Sequence, residues 1–224
     1  MRGKEREDIR RVFDVFAKRY DEWYEKPFGK SAFELEKASI KPLCKNLKRP
    51  FLEVGVGTGR FAQALNIEYG VDMSSGVLVF AKNRRIEVVK GAGEKLPFKE
   101  KTFGGIFLIV TLCFVNSPLK VLKEAVRVLT DNGGIILGLI LKESPWARFY
   151  EGKGRKEDIF YKIARFYSFE DIKLMMEEAK LKIVEVNSTL FQPPAEKTLY
   201  FEFPRKGYYM EAGFIALKAK KKLL

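Results

Sequence analysis

The stretch FLEVGVGTGR, Phe51 to Arg60, decides the fold. An apolar run ends in an acid, Glu53, and is followed by glycines at alternate positions, Gly55, Gly57 and Gly59, and then by a helix-like segment. A strand that feeds a glycine-rich turn and a helix brings backbone close to a ligand. Glycine accepts positive φ there and leaves no Cβ in the way. A second apolar run, IEYGVD, ends in Asp72. Two consecutive βα units, each with an acid at the strand's C-terminal end, place both acids on one rim of a parallel sheet, where open α/β sheets bind ligands.

Three readings of this rim stand side by side. Gly57, Gly59 and Ala62 satisfy the looser form of the dinucleotide fingerprint, which keeps a nicotinamide oxidoreductase open. Against it, Ala62 replaces the third glycine, Arg60 and Phe61 are bulky, and Glu53 puts a carboxylate where a pyrophosphate would lie. That carboxylate suits a ligand with an ammonium group, such as S-adenosylmethionine, with Glu53 at the amino-acid end and Asp72 on the ribose. In the third reading both acids only cap the helices that follow.

Around this centre the chain alternates strands and helices. A helical lead-in spans about Asp8 to Asn46, with Val12, Phe13, Phe16 and Tyr20 at helix spacing. Pro27 and Gly29 are expected to break it before a second helix from Ser31 to Leu47. Strands are expected at 51–54, 67–71, 86–90, 105–111, 135–141, 183–187 and 213–218. Asn132-Gly133-Gly134 reads as a turn. Helices are expected from Gly59, over 75–83 with Ser74 as N-cap, from Pro118 to about Leu129, and from Ser168 to Ala179. The run Gly105 to Thr111 is apolar throughout, as a central parallel strand should be.

At 224 residues, with 46% hydrophobic residues, the chain suits one α/β domain. The richest apolar run, FGGIFLIVTLCFV, is too short to span a bilayer, and the charged N-terminus lacks a signal-peptide core. Two cysteines, Cys44 and Cys113, fit a reducing cytoplasm. There is no histidine, which excludes a histidine base or histidine-ligated metal; no metal is expected. A formal net charge of +13 keeps nucleic acid in view. Yet the basic residues interleave with acids, and only the C-terminal KAKKKLL is dense, which reads as a solvated tail. Abundant Lys and Glu without His also suits a thermophile.

Four blocks carry a resemblance: EVGVGTG at 53–59, GVDMS at 70–74, KGAGEKLPFKEKTF at 90–103 and EAVRVLTDNGG at 124–134. In order and spacing they resemble the class I S-adenosylmethionine-dependent methyltransferases, in particular the small-molecule branch typified by ubiquinone/menaquinone methyltransferases. The resemblance covers most of the chain from Phe13 to Val186. It implies a Rossmann-like, seven-stranded, mostly parallel sheet with helices on both faces, the last strand antiparallel, and a helical N-terminal cap. The implied organisation is a cap at 1–48, a cofactor-binding core at 49–141, a lid-like insertion at 142–167 and completion of the sheet at 168–224. The implied reaction is methyl transfer to a small-molecule acceptor, leaving S-adenosylhomocysteine; RNA or protein acceptors are the alternative.

By position the resemblance assigns Glu53, Gly55, Gly57 and Gly59 to the methionine end, Asp72 to the ribose and Met73 to the adenine face. The loop at 91–94 would hold the adenine edge through backbone at Ala92 and Gly93, because Ala92 stands where relatives often carry Asp. Gly104 likewise replaces a frequent Asp, which reads as a structural change. Thr111 and Leu112 would pass beneath the sulfur, and Tyr20, with Asp21 and Trp23 nearby, would cover the methionine carboxylate. Trp146, Phe149, Tyr150, Tyr161 and Arg165 of the insertion would line an aromatic or acidic substrate pocket, or else pack on the sheet. Tyr20 and Glu143 are speculative bases. Cys113 lacks the neighbouring proline of cytosine methyltransferases and reads as a small buried hydrophobe.

Overall fold

The computed structural model describes residues 2–156, 158–195 and 197–222, with side chains from Ile9 onward. Leu223 and Leu224 of the basic C-terminal run lie outside the described residues. Five strands form the parallel part: β1 (Phe51–Val54), β2 (Tyr69–Asp72), β3 (Glu87–Lys90), β4 (Phe103–Ile109) and β5 (Leu129–Leu139). The later strands are β6 (Leu181–Thr189), β7 (Arg205–Lys206) and β8 (Phe214–Lys221). Among the described residues the sheet therefore has eight strands, in the order β3-β2-β1-β4-β5-β8-β6-β7. The strand beyond the expected seven is β7, two residues long and antiparallel to β6. Ser188 explains it: its hydroxyl donates to Gly207 O at 2.7 Å and accepts from Tyr209 N–H, folding the chain back on β6. β8 runs antiparallel to both β5 and β6.

Side-chain alternation divides the core between the two faces. Leu52, Val54, Ile106, Leu108, Ile135 and Leu137 pack on one face. They meet α6 (Pro118–Val128) and α8 (Phe169–Glu178) through residues such as Leu122 and Ile172. Phe51, Phe107, Ile109 and Ile136 point to the other face. There they meet α3 (Pro27–Ile40), α4 (Arg60–Ala64), α5 (Ser75–Asn83) and α7 (Pro145–Arg155). Every residue of β4 is buried, consistent with its place at the centre of a doubly covered sheet. No helix among the described residues is long and apolar enough to cross a membrane.

Several boundaries differ from the sequence expectation, each for a local reason. Pro27 starts α3 instead of breaking a helix, because proline at the first helical position lacks only an N–H that would be unpaired anyway. Gly29 lies inside that helix, where a Cβ would overlap the carbonyl oxygen of Trp23. The Asn132-Gly133-Gly134 turn lies within β5, which pairs with β4 at Leu129 and again from Gly134, with a register shift between. The basic C-terminal run belongs to β8 and is not a solvated tail. Lys218 is buried, with Nζ donating to Lys45 O at 2.9 Å and facing Glu185 at 3.3 Å; Lys221 donates to Leu129 O at 2.7 Å.

Helices α1 (Arg2–Val15) and α2 (Ala17–Trp23) form a strap across the C-terminal rim. Two carboxylates fasten it. Asp14 Oδ1 accepts from Ser74 Oγ at 2.7 Å and from Gly76 N–H at 2.9 Å, at the start of α5. Asp21 accepts a two-pronged bond from Arg60 at 2.9 and 2.7 Å and a third from Arg84 at 2.9 Å. Arg60, bulky for a dinucleotide loop, is thus the residue that grips the strap.

Gly104 is also set by packing. A Cβ there would overlap Lys48 O, and its N–H donates to Pro50 O at 3.0 Å. Replacing it with aspartate or with alanine forces that segment away from the sheet. Gly104→Ala should cost about 1–3 kcal/mol, read as a lower midpoint in denaturant. An unchanged midpoint would contradict this close approach.

Candidate functional site

The sheet order reverses between β1 and β4, and a cleft of about 810 Å³ opens at the strand ends there. The loop after β1 forms its floor. Gly55 (φ +72°) and Gly57 (φ +52°) take left-handed conformations, and a Cβ on Gly55 would come within 2.5 Å of Thr111 Cγ2. Thr111 is itself fixed by donating to Val54 O at 3.0 Å. Asp72 closes the arrangement: Oδ2 accepts from Gly57 N–H at 3.0 Å and Oδ1 from Ser74 N–H at 2.9 Å. Burial pushes its carboxyl up, and those backbone bonds work against that shift.

Of the residues singled out in the sequence, Gly55, Gly57, Asp72, Met73, Gly93, Thr111 and Tyr20 line this cleft. Four others do not. Glu53 is only 2% exposed and lies behind the lining; its Oε2 has no hydrogen-bond partner, and burial pushes its carboxyl well up. Gly59 N-caps α4 at φ +81° and is there for packing, since a Cβ would sit 2.9 Å from Ala81 Cα. Ala92 is bridged to Lys95, whose N–H takes its carbonyl at 3.0 Å. Leu112 turns into the core. Ile9 and Arg10 of the N-terminal cap and Asn116 of the loop after β4, to which sequence assigns no individual role, also line the cleft. The side-chain amide oxygen and nitrogen of Asn116 are both buried without a partner.

A second chamber, about 1160 Å³, adjoins the first. Tyr20, Val110 and Phe114 belong to the walls of both. The Tyr20 ring edge is 3.6 Å from where a Gly57 Cβ would stand, and its hydroxyl is 3.2 Å from that of Tyr24. Burial raises the Tyr20 phenol well above its ordinary value, so it stays protonated and serves as a hydrogen-bond donor, not a base, at neutral pH. Tyr150 and Tyr161 reach the chamber as a stacked pair with centroids 4.3 Å apart.

The rest of the 142–167 insertion serves structure. Trp146 is 1% exposed, stacks on Phe28 at 5.6 Å and donates to the carbonyls of Leu190 and Gln192 at 3.1 Å. It is a core residue, as is common for an aromatic at helix spacing. Phe149 packs partly buried beside it. Arg165 is exposed and outside the chamber, with its backbone N–H on Cys113 O at 2.8 Å. Glu143 is no base for either cavity: Oε1 accepts from Phe169 N–H at 2.9 Å and Tyr208 OH at 2.8 Å. Asp21, expected near the cofactor, is spent on Arg60 and Arg84, which help hold its carboxyl down at about 2 against burial. Burial pushes the Cys113 thiol up to about 12, which leaves it unreactive at neutral pH.

Comparison with known proteins fits this geometry. A methyltransferase-domain family matches residues 52–137. A solved Thermotoga maritima S-adenosylmethionine-dependent methyltransferase, described as a possible histamine N-methyltransferase, superposes with a TM-score of 0.87 at 34% identity, covering 96% of this chain and all of that one. This chain belongs to the class I S-adenosylmethionine-dependent methyltransferases. An uncharacterized protein of Methanocaldococcus jannaschii is 38% identical over 94% of this chain and 98% of its own length. A demethylmenaquinone methyltransferase of Renibacterium salmoninarum is 33% identical over 38% of this chain and 39% of its own.

The methyltransferase carries one further buried acid that sequence reading missed. Glu36 of α3 is 6% exposed and lines the second chamber. Burial pushes its carboxyl up to about 8. An acid whose folded value exceeds its unfolded one binds its proton more tightly in the folded state. Its stabilising effect is therefore complete below about pH 4.5 and is lost as the pH rises toward about 8. Glu53 adds in the same direction. The low value of Asp21 affects stability only in more acidic solution. The melting temperature should therefore fall between about pH 4.5 and pH 8, and Glu36→Gln should flatten part of that slope. Parallel slopes for variant and wild type would contradict the burial of this carboxyl.

Proposed function

We propose that the enzyme holds S-adenosylmethionine in the first cleft and passes its methyl group to a small-molecule acceptor in the second chamber. The observation that carries this reading is the wall that the two cavities share at Tyr20, Val110 and Phe114. The residues present fit the methyl donor. The charged side chains lining the cleft are Asp72, Glu94 and Arg10, with Glu53 Oε2 unpartnered behind the loop. Acids in excess favour a cationic ligand over a pyrophosphate. The Gly57 N–H, which a bound phosphate would need, is already spent on Asp72. Gly55 and Gly57 would hold the methionine end, Asp72 the ribose, Met73 and Gly93 the adenine. Asn116 would take the polar adenine edge that Ala92 cannot.

S-adenosylmethionine supplies a methyl group already activated on a sulfonium. The chain's part is to align the acceptor, exclude water and dispose of one proton. Alignment alone is worth about 7–11 kcal/mol of barrier. Tyr20 and Phe114 would flank the line of transfer. Phe13 braces both, with ring centroids 5.3 and 5.2 Å away, under a strap pinned by Asp14 and Asp21. A chamber walled largely by aromatic side chains favours a small molecule over an RNA or protein chain, and this is the substrate class we assign.

Calorimetric titration with S-adenosylmethionine, S-adenosylhomocysteine and NADH tests the reading. The first two should bind at roughly micromolar Kd, about −8 kcal/mol, and NADH should not bind. Asp72→Asn should weaken S-adenosylmethionine by about tenfold, or ~1.4 kcal/mol. Binding of NADH alone would overturn the assignment; undiminished affinity in Asp72→Asn would remove Asp72 from it.

A further inference from the structure

The second chamber contains a group that methyl transfer as described leaves without a task. Glu36 sits on the apolar face of α3, one turn from Ala32 and one from Ile40, both fully buried. Among the described residues no donor or cation pairs with its carboxyl; Ser39 bonds only its backbone carbonyl, at 2.7 Å. Its surroundings are rings. Burial pushes the phenols of Tyr24 and Tyr150 up, and both lie near enough to Glu36 for its charge to add to that; Trp23, Phe160 and Tyr161 continue the wall. A buried carboxyl without a partner is costly. Placed on a core-facing helix surface beside an open chamber, it calls for a partner that comes from outside.

We propose that Glu36 is the recognition group for the methyl acceptor and that the acceptor is an amine, bound as its ammonium ion on a flat apolar skeleton. This rests on reading the second chamber as the acceptor site. An ammonium supplies both what Glu36 lacks, an opposite charge with donors, and what aromatic faces attract. The rest of the wall carries charges of both signs: Arg19 stands 4.0 Å from Asp158, and Lys153 lies 5.6 Å from the Tyr161 ring centroid.

The same carboxylate handles the proton. The bound ammonium gives one proton to Glu36, which frees the nitrogen lone pair. The N–CH3 bond then forms as the S–CH3 bond breaks, leaving a thioether and a methylated ammonium. The proton on Glu36 passes to solvent as the product leaves. A carboxyl held near 8 is matched to that exchange at neutral pH. The titratable groups facing it are Tyr20 from α2, Tyr24 just after it, Tyr150 from α7, Tyr161 and Asp158 beyond it, and Arg19, Lys26 and Lys153; Lys37 and Glu34 of its own helix pair with each other on the exposed side. Burial pushes all four phenols far above neutrality, so they do not exchange protons there.

The test uses the full chain saturated with S-adenosylhomocysteine, titrated calorimetrically at pH 7 with 2-phenylethylamine and with 2-phenylethanol in two buffers of different ionisation enthalpy. The amine should bind at least about tenfold more tightly than the alcohol and release close to one proton per molecule bound. Glu36→Gln should keep its affinity for S-adenosylhomocysteine, which also reports its folding, and lose both the preference and the proton release. Equal binding of the two probes, unaltered amine binding by Glu36→Gln, or binding of neither probe by a protein that takes up S-adenosylhomocysteine would each overturn the proposal. Failure of the wild type to bind S-adenosylhomocysteine would instead strike the cleft assignment.

Discussion

The hydrogen bond from Gly57 N–H to the Asp72 carboxylate ties the loop after β1 to the end of β2, beside the point where the sheet order reverses. A loop with three alternate residues at positive φ has little side-chain packing to hold it, so its shape depends on what its amides bond to. Asp72 supplies that bond and, through Ser74, also fixes the entry to α5. Ser74 and Gly76 in turn receive Asp14 of the strap. The floor of the cleft and its cover thus converge on a few residues, 72 to 76.

Electrostatics separates the two cavities as clearly as shape does. The first is lined by more acid than base, and its backbone donors are partly spent, which suits a cation with hydroxyl groups. The second is aromatic, with the buried carboxyl of Glu36 in its wall. A methyl donor that is positive before transfer and neutral after it loses its attraction to the acidic cleft as the reaction completes, and this favours product release.

Much of this was legible from residues alone. The apolar runs of β1 and β4 and the Ser74 and Ser168 caps specify elements by local rules, and the structure places them within a residue or two. The Asp72 position was legible because an acid that ends a strand and precedes a helix falls on the ligand-binding rim of a parallel sheet. What sequence could not supply was direction. Trp146, Tyr150 and Tyr161 share composition and neighbourhood, yet Trp146 points into the core while the two tyrosines reach the chamber. Glu143 looked well placed at the end of β5 but turns to Phe169 and Tyr208. Glu53 has the expected position and a deeper burial than expected. Glu36 did leave a signal, an acid four residues from Ala32 and from Ile40 on an apolar helix face, a pattern with period 3.6 that argues against a solvated side chain. β7 left none, because two residues paired by one serine have no periodicity to read.

The central claim is that the donor cleft and the acceptor chamber meet at Tyr20, Val110 and Phe114. A crystal structure of the full chain with S-adenosylhomocysteine tests it most directly. The account predicts the ribose at Asp72 and the sulfur at that shared wall, facing the chamber that contains Glu36. A sulfur directed away from the chamber, or the ligand bound elsewhere, would contradict it.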